Sequence, residues 1–529
     1  MSYYKDLREH IAALEKQGKL VRIKRPVNKD TLLHPLVRWQ FRGLPEEDRK
    51  AFYFENVTDV KGRKYSIPVL VASHAASKYI YGIGMMCKPE EIIDRWARAQ
   101  LHPVSPKLVL SGPIHDEVHT GDKLLEHGGL EEFPIPISTP GFDNAPYLTA
   151  ANWVTRDIET GSVNIGNYRS MVKSPTRLGI ECNPPQHLYT HWEKCKARGI
   201  PLKAAIVIGA SPAVAYAGTA KLPYGVEEYS IAGGIAGEAI ELVKCKTVNL
   251  EVPATAEIVL EGELPTDTLE REAPFGEFTG YMGLESWGPY FNISCITHRK
   301  NPMFTAFLSQ FPPSESSKLR EYSTAGILFK FLKHDCNIPG ILEVATPETG
   351  GANKYIAIRM KKTHPSQAWQ ALNGASAIMP GTGKIVVVVD EDIDPNDADS
   401  VNWAMCFRMD PQRDIRITPG KIPGLDPSGA PMNAPDHKYP LPNGSSGLLI
   451  DATRKWPYPP ISLPKKEFME DARKFWEEEG LPKLTPKVPW FGYNLGHWTK
   501  ENEEEADLAL QGEYFKTGEK LAKSRRRTE

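Results

Sequence analysis

Two carboxylates flank a Pro-Phe-Gly step in the run Arg271-Glu272-Ala273-Pro274-Phe275-Gly276-Glu277. A spacing of five puts side chains roughly 140° apart on an ideal helix and on opposite faces of a strand, so neither regular element brings Glu272 and Glu277 together. A turn does. Pro274 fixes φ and withdraws a donor, and Gly276 opens backbone angles closed to other residues. Acids converging on such a turn can divide acid and base work between them, whereas on an open turn they are two solvated charges.

Other segments offer partners. Asn164-Ile165-Gly166-Asn167-Tyr168-Arg169 holds two amides and a guanidinium, and Arg169 can grip a carboxylate through two N–H groups or stand as a surface arginine. His187 and His191 share one face of an expected helix, but no Glu follows the first His, so the pair lacks the zincin pattern. Glu228 stands just before an expected helix, where a carboxylate can also be a simple cap. Pro380-Gly381-Thr382-Gly383-Lys384 resembles a phosphate loop but fails it, because Ile385 replaces the required hydroxyl and the strand follows the loop instead of preceding it. Lys384 remains available to a phosphate as a point charge.

The elements that must position these groups read as mixed α/β. An amphipathic helix is expected over residues 3–18, then strands at 21–23, 66–71, 107–111, 204–209 and 256–260. Runs at 293–296 and 303–307 read as a hairpin across Arg299-Lys300-Asn301-Pro302. Helices are expected near 90–100, 185–198 and 231–243, and a longer one over 314–334 joins two domains. Beyond it, Lys384 to Asp390 is a continuous apolar run ending in an acid, the pattern of a strand buried on both faces, with a helix after it over 398–405. The Pro/Gly/Asn-rich stretch 419–447 reads as loop, 464–480 as helix, and the segment from Lys500 onward as a charged tail. The expected division is 1–313, 314–334, 335–463 and 464–529.

Bulk properties exclude some classes. With 64 basic and 66 acidic residues in 529 there is no field that demands nucleic acid or an anionic membrane. Seven scattered cysteines without a Cys-x-x-Cys pair argue against a disulfide framework or zinc ribbon. The opening residues lack the apolar core of a secretory signal and no run reaches membrane-span length, so a cytoplasmic location is expected.

Taken in order, the segments resemble the UbiD-type decarboxylases that use prenylated FMN. The matching motifs are Asn164 to Arg169, Gln186-His187, Gly225 to Glu228, Glu272 to Glu277, Lys384 to Asp394, and Asp451-Ala452-Thr453 with Lys455-Trp456-Pro457. The resemblance implies an N-terminal flavin domain with a split β-barrel, a linking helix, and a C-terminal α/β domain that assists assembly into dimers or hexamers. It implies a divalent metal (Mn²⁺, Mg²⁺ or Fe²⁺) on Asn164, His187 and Glu228, bridging to the cofactor phosphate. A K⁺ would lie near backbone carbonyls of residues 218–220. Ile165, Asn167, Tyr168, Arg169, Gln186 and Lys384 join the three metal ligands in holding the cofactor. Arg169, Glu272 and Glu277 match the catalytic network: Arg169 orients the leaving carboxylate, Glu272 holds Arg169, and Glu277 protonates the carbon left behind.

The implied activity is non-oxidative decarboxylation, in either direction, of an aromatic or α,β-unsaturated acid or an aromatic acyl-CoA such as phthaloyl-CoA. A flavin prenyltransferase would supply the cofactor. An accessory subunit of a multi-subunit carboxylase and a metal-dependent hydrolase with Glu277 as base are the alternatives.

Overall fold

The structure, a computed structural model, describes residues 2–422, 424–429, 445–485 and 496–527. The mixed α/β class expected from the sequence is what it shows. Leu202–Ile208 and Ile258–Leu264 explain why the first part folds as it does. Ala204, Ile206 and Ile208 enter one apolar core and Ala205 and Val207 another, so the near-continuous apolar run is a period-two strand with both faces covered. These strands lie inside an antiparallel nine-stranded sheet, in the order Val163–Asn167, Asn152–Arg156, Leu202–Ile208, Ile258–Leu264, Tyr290–His298, Arg177–Ile180, Ser170–Ser174 and Tyr147–Leu148, with Glu117–Thr120 paired onto Tyr290–His298. This sheet is the half-barrel. A bulge at Glu261/Gly262 bends it, and a Cβ at Gly262 would lie 2.0 Å from the Asn292 carbonyl oxygen, so only glycine fits.

The helix Leu7–Lys16 packs Leu7, Ile11 and Leu14 inward and is capped by Asp6, which accepts from the Glu9 amide at 3.0 Å. A four-stranded sheet follows, in the order Leu20–Ile23, Ala51–Phe54, Val69–Val71, Phe304–Ala306. The expected 293–307 hairpin is therefore not formed. Tyr290–His298 stays in the large sheet and Phe304–Ala306 pairs with Val69–Val71. Asn301, at φ 53, and a bond from the Met303 amide to Glu257 Oε2 at 3.1 Å turn the chain from one sheet to the other.

The helix Glu315–Lys330, capped by Ser314, contributes Leu319 and Ile327 to a core of the first part and Leu328 and Phe329 to a core of the second. The second part is a five-stranded sheet in the order Ile341–Ala345, Tyr355–Met360, Ile385–Asp390, Ser445–Ala452, Ile415–Lys421, parallel at its centre. Val386 and Val388 pack toward the helix Ser366–Ala377, while Val387 and Val389 pack with Val401 and Ala404 of Ala398–Arg408.

Three further expectations need correction. The helix expected to Val243 ends at Ala236, because Gly237 takes a left-handed φ of 76, and Glu241–Lys244 is a strand. The stretch from 419 begins as the end of the strand Ile415–Lys421 and closes with Ser445–Ala452; residues 423 and 430–444 lie outside the described residues. The charged tail contains two helices, Lys500–Leu510 and Tyr514–Ala522, tied by Lys520 to Glu505 at 2.9 Å and to Glu501.

Candidate active site

Arg169 lies between the strands Val163–Asn167 and Ser170–Ser174, and its buried guanidinium collects three carboxylates. Glu272 takes it bidentately, Nε to Oε1 at 3.1 Å and Nη2 to Oε2 at 2.8 Å. Glu277 meets Nη1 and Glu181 meets Nη2. The turn between the two glutamates does what their spacing requires. Glu270–Glu272 pairs with Ser286–Gly288, Ala273 adopts φ 86 before a cis Pro274, and Phe275–Gly276 pairs with Met282–Gly283. The Phe275 ring lies 5.4 Å under the guanidinium and 4.5 Å from the Tyr147 ring. Gly283 leaves the space Arg169 needs, since a Cβ there would sit 2.9 Å from Nη1.

The electrostatics follow from burial. Desolvation opposes the charge of Arg169, but Glu272 and Glu277 outweigh it and hold its pKa above the ordinary value. The Glu272 carboxyl is raised by burial, against the pull of Arg169 and a hydrogen bond from Tyr147. Asp143, which accepts from the Thr139 amide at 2.6 Å, is pushed up to about 6 by burial.

A second constellation joins three elements. Asn164 comes from the strand Val163–Asn167, His187 begins the helix His187–Ala197, and Glu228 begins the helix Glu228–Ala236. His187 Nδ1 is 3.2 Å from Asn164 Oδ1 and 4.0 Å from Glu228 Oε1, and Glu228 Oε2 accepts from the Ile165 amide at 2.9 Å. Ligand atoms on an ion bonded at about 2.1 Å are separated by about 3.0 to 4.2 Å, so these spacings fit a six-coordinate hard cation. Burial lowers the His187 imidazole, which leaves it neutral and able to ligate, and pushes Glu228 up to about 8, a cost that a cation removes. Asn152 and Asn167 face each other across their strand pair, and both Oδ1 atoms, like Asn164 Nδ2, are buried without a partner among the described residues. Buried amide atoms left open in this way call for a ligand or water.

A family model described as the 3-octaprenyl-4-hydroxybenzoate carboxy-lyase Rift-related domain matches residues 108–311, and one for the C-terminal domain of that carboxy-lyase matches residues 322–452. The chain belongs to the UbiD family. A phenolic acid decarboxylase from Bacillus subtilis is 32% identical over 459 residues, covering 85% of this chain and 92% of the relative. An uncharacterised protein from Archaeoglobus fulgidus is 33% identical over 470 residues, covering 86% and 92%. Among solved structures, the vanillic acid decarboxylase of Sedimentibacter hydroxybenzoicus in its closed form superposes with a TM-score of 0.77 at 28% identity, covering 90% of this chain and all of that one (100%). An evolved dimeric form of HmfF from Pelotomaculum thermopropionicum, in complex with prenylated FMN, gives 0.74 at 29%, covering 89% and 100%. This UbiD chain is accordingly a carboxy-lyase.

Within the UbiD site the expected residues fall into groups. Arg169, Glu272 and Glu277 form one cluster, and Asn164, His187 and Glu228 the other. The Ile165 side chain lies in an apolar core and its backbone amide donates to Glu228. Asn167 Nδ2 donates to the Thr149 carbonyl at 3.0 Å, the Tyr168 ring covers Gly166, and Gln186 Oε1 accepts from the Asn183 amide at 2.7 Å as the chain enters the helix. The Lys384 ammonium donates to Asp426 Oδ2 at 2.8 Å and to Ser428. His191 points elsewhere, to Thr155 at 2.9 Å.

Sequence reasoning missed Glu181, Asp143 and Tyr147, which no local motif marks. It also missed Lys221 and Arg320. Lys221 is exposed to solvent, and desolvation together with the charges of Arg320 and Lys354 lowers its amine. Arg320, from the linking helix, lies 4.0 Å over the Phe278 ring and interacts with Glu277.

Proposed function

We propose that this chain is a non-oxidative decarboxylase of a free aromatic acid that works with prenylated FMN and a divalent cation. The observation that carries the reading is the buried guanidinium of Arg169 held from one side by the bidentate Glu272 and met by Glu277 from another. Arg169 orients the substrate carboxylate, Glu272 fixes Arg169, and Glu277 gives a proton to the carbon that loses CO₂. Prenylated FMN, when bound, supplies the electron sink for the departing carboxylate. Asn164, His187 and Glu228 would hold a hard cation against its phosphate, and the starts of two helices favour the same anion. Arg320 adds positive charge beside Glu277. A K⁺ beside residues 218–220 has the open Asn152 Oδ1 as a neighbouring donor, since a Cβ at Gly218 would lie 2.7 Å from it.

The names of two relatives, a phenolic acid and a vanillic acid decarboxylase, favour a free hydroxyaromatic acid over an acyl-CoA ester. The division 1–313, 314–334, 335–463 and 464–529 is retained as the working domain assignment, because the helix Glu315–Lys330 enters the cores on both sides of it. The test is CO₂ release from a panel of aromatic acids and acyl-CoA esters by protein made together with a flavin prenyltransferase. Protein without bound flavin, or with flavin but inert on every acid, would contradict the proposal.

A further inference from the structure

The strand Tyr290–His298 carries a cluster that the carboxy-lyase reading leaves unused. It pairs with Glu117–Thr120 in the register Ile296 to His119 and His298 to Glu117, so His119 and His298 are diagonal neighbours on one face. Their Nε2 atoms lie 3.2 Å apart. Glu132, closing the 3₁₀ turn Gly129–Glu132, brings Oε1 to 3.7 Å from His298 Nε2. His298 Nδ1 donates to the Arg299 carbonyl at 2.9 Å, which fixes the tautomer and leaves the Nε2 lone pair directed into the cluster.

The spacing is that of ligands to one ion. Two ligand atoms on a tetrahedral zinc, bonded at about 2.0 to 2.1 Å, stand about 3.3 to 3.4 Å apart, and the observed 3.2 and 3.7 Å bracket that edge. A hydrogen bond between the two imidazoles accounts for one contact. It gives no reason for a third histidine: the exposed His127 ring lies 4.9 Å from that of His119, perpendicular to it. His119 and His298 are buried and Glu132 half-buried, and all three ligand atoms fall within 4.8 Å of one another. The cluster opens on a cleft of about 770 Å³ that His127 and Glu117 also line.

We propose that His119, His298 and Glu132 form a binding site for a divalent transition-metal ion of the zinc type, with the fourth position facing the cleft and filled by His127 or water. Two imidazoles and one carboxylate suit zinc better than Mg²⁺ or K⁺, which sets this site apart from the oxygen-rich set at Asn164, His187 and Glu228. The ion would fasten the Glu117–Glu132 segment to the large sheet, and binding only the folded state it would stabilise the fold.

The experiment uses the full chain, loaded with ZnCl₂, passed over a chelating resin, and analysed for metal by mass spectrometry. His119→Ala and His298→Ala should each lower the zinc retained by one equivalent per chain, while His187→Ala leaves that equivalent in place. Glu132→Gln, the mildest change, should weaken zinc about tenfold and cancel most of the rise in Tm that zinc gives the unsubstituted protein, with the metal-free Tm unchanged. Zinc content and the zinc-dependent Tm rise unaffected by Glu132→Gln, or no zinc retained by the unsubstituted chain, would overturn the proposal.

Discussion

Glu277→Gln separates the proposed proton donor from its neighbours most cleanly. The amide has the shape of the acid and keeps an oxygen for Arg169 Nη1, but it has no proton to give. Proton transfer by a placed side chain contributes about 10² to 10⁴ in rate, so the barrier should rise by about 2.7 to 5.5 kcal/mol at about 1.36 kcal/mol per tenfold. Stability should move far less. One charge-assisted bond becomes neutral, a loss of about 1 kcal/mol, while removing a carboxylate from three that crowd one guanidinium relieves repulsion of similar size. The variant should therefore keep its flavin spectrum and its Tm within a few degrees while CO₂ release falls at least a hundredfold. Deuterium exchange into the decarboxylated product should fall in parallel, since it needs the same proton transfer in reverse. A rate within tenfold of the unsubstituted enzyme, or loss of flavin with activity, would refute the assignment.

The other expectations concern the supports. His187→Ala should lose both the divalent metal and the flavin, measured by metal analysis and absorbance; unchanged flavin occupancy would contradict the metal's bridging role. Gly283→Ala puts a methyl 2.9 Å from Arg169 Nη1, and because three carboxylates hold that arginine it cannot retreat cheaply, so kcat/KM should fall about 10- to 100-fold, roughly 1.4 to 2.7 kcal/mol.

The sequence made strands legible where period and burial agree. The run of valines 386–389 is an example, since alternate residues feed two cores and no other element buries four in succession so well. It misled where topology decides, as at 293–307, where two adjacent strands belong to different sheets because one turn and one buried glutamate redirect the chain. The site shows the same division. Glu272 and Glu277 were visible as a pair because a turn is the only local way to join them, whereas Asn164, His187 and Glu228 became a set only through the resemblance to the UbiD family. Glu181, Tyr147 and Arg320 were not legible, since each arrives from an unrelated element and is defined by contact alone. Lys384 has a partner of the same kind, since Asp426, 42 positions later, is joined to it by contact and by no motif.

The crowding at Arg169 itself bears on the proposed roles. A substrate carboxylate needs N–H donors, and Glu181, Glu272 and Glu277 already take four of the five on the guanidinium, so a two-point grip on the substrate requires one of the three to yield. Glu272 is the least able to do so: it is 1% exposed, bidentate, and hydrogen-bonded by Tyr147. Glu181 shares Nη2 with Glu272, and releasing it frees one N–H on the edge that the bidentate Glu272 still holds. Glu277 alone takes Nη1, is 10% exposed, and sits on a tight turn whose Gly280, at φ 91, donates back to the Glu277 carbonyl at 3.0 Å. Its displacement by a substrate carboxylate would leave Glu277 without its cation beside the bond that breaks, where it can take a proton from water and pass it to the carbon that loses CO₂, with Arg320 near enough to stabilise the carboxylate after transfer. On this reasoning the contact between Arg169 and Glu277 is the resting form of the site, and binding itself arms the donor.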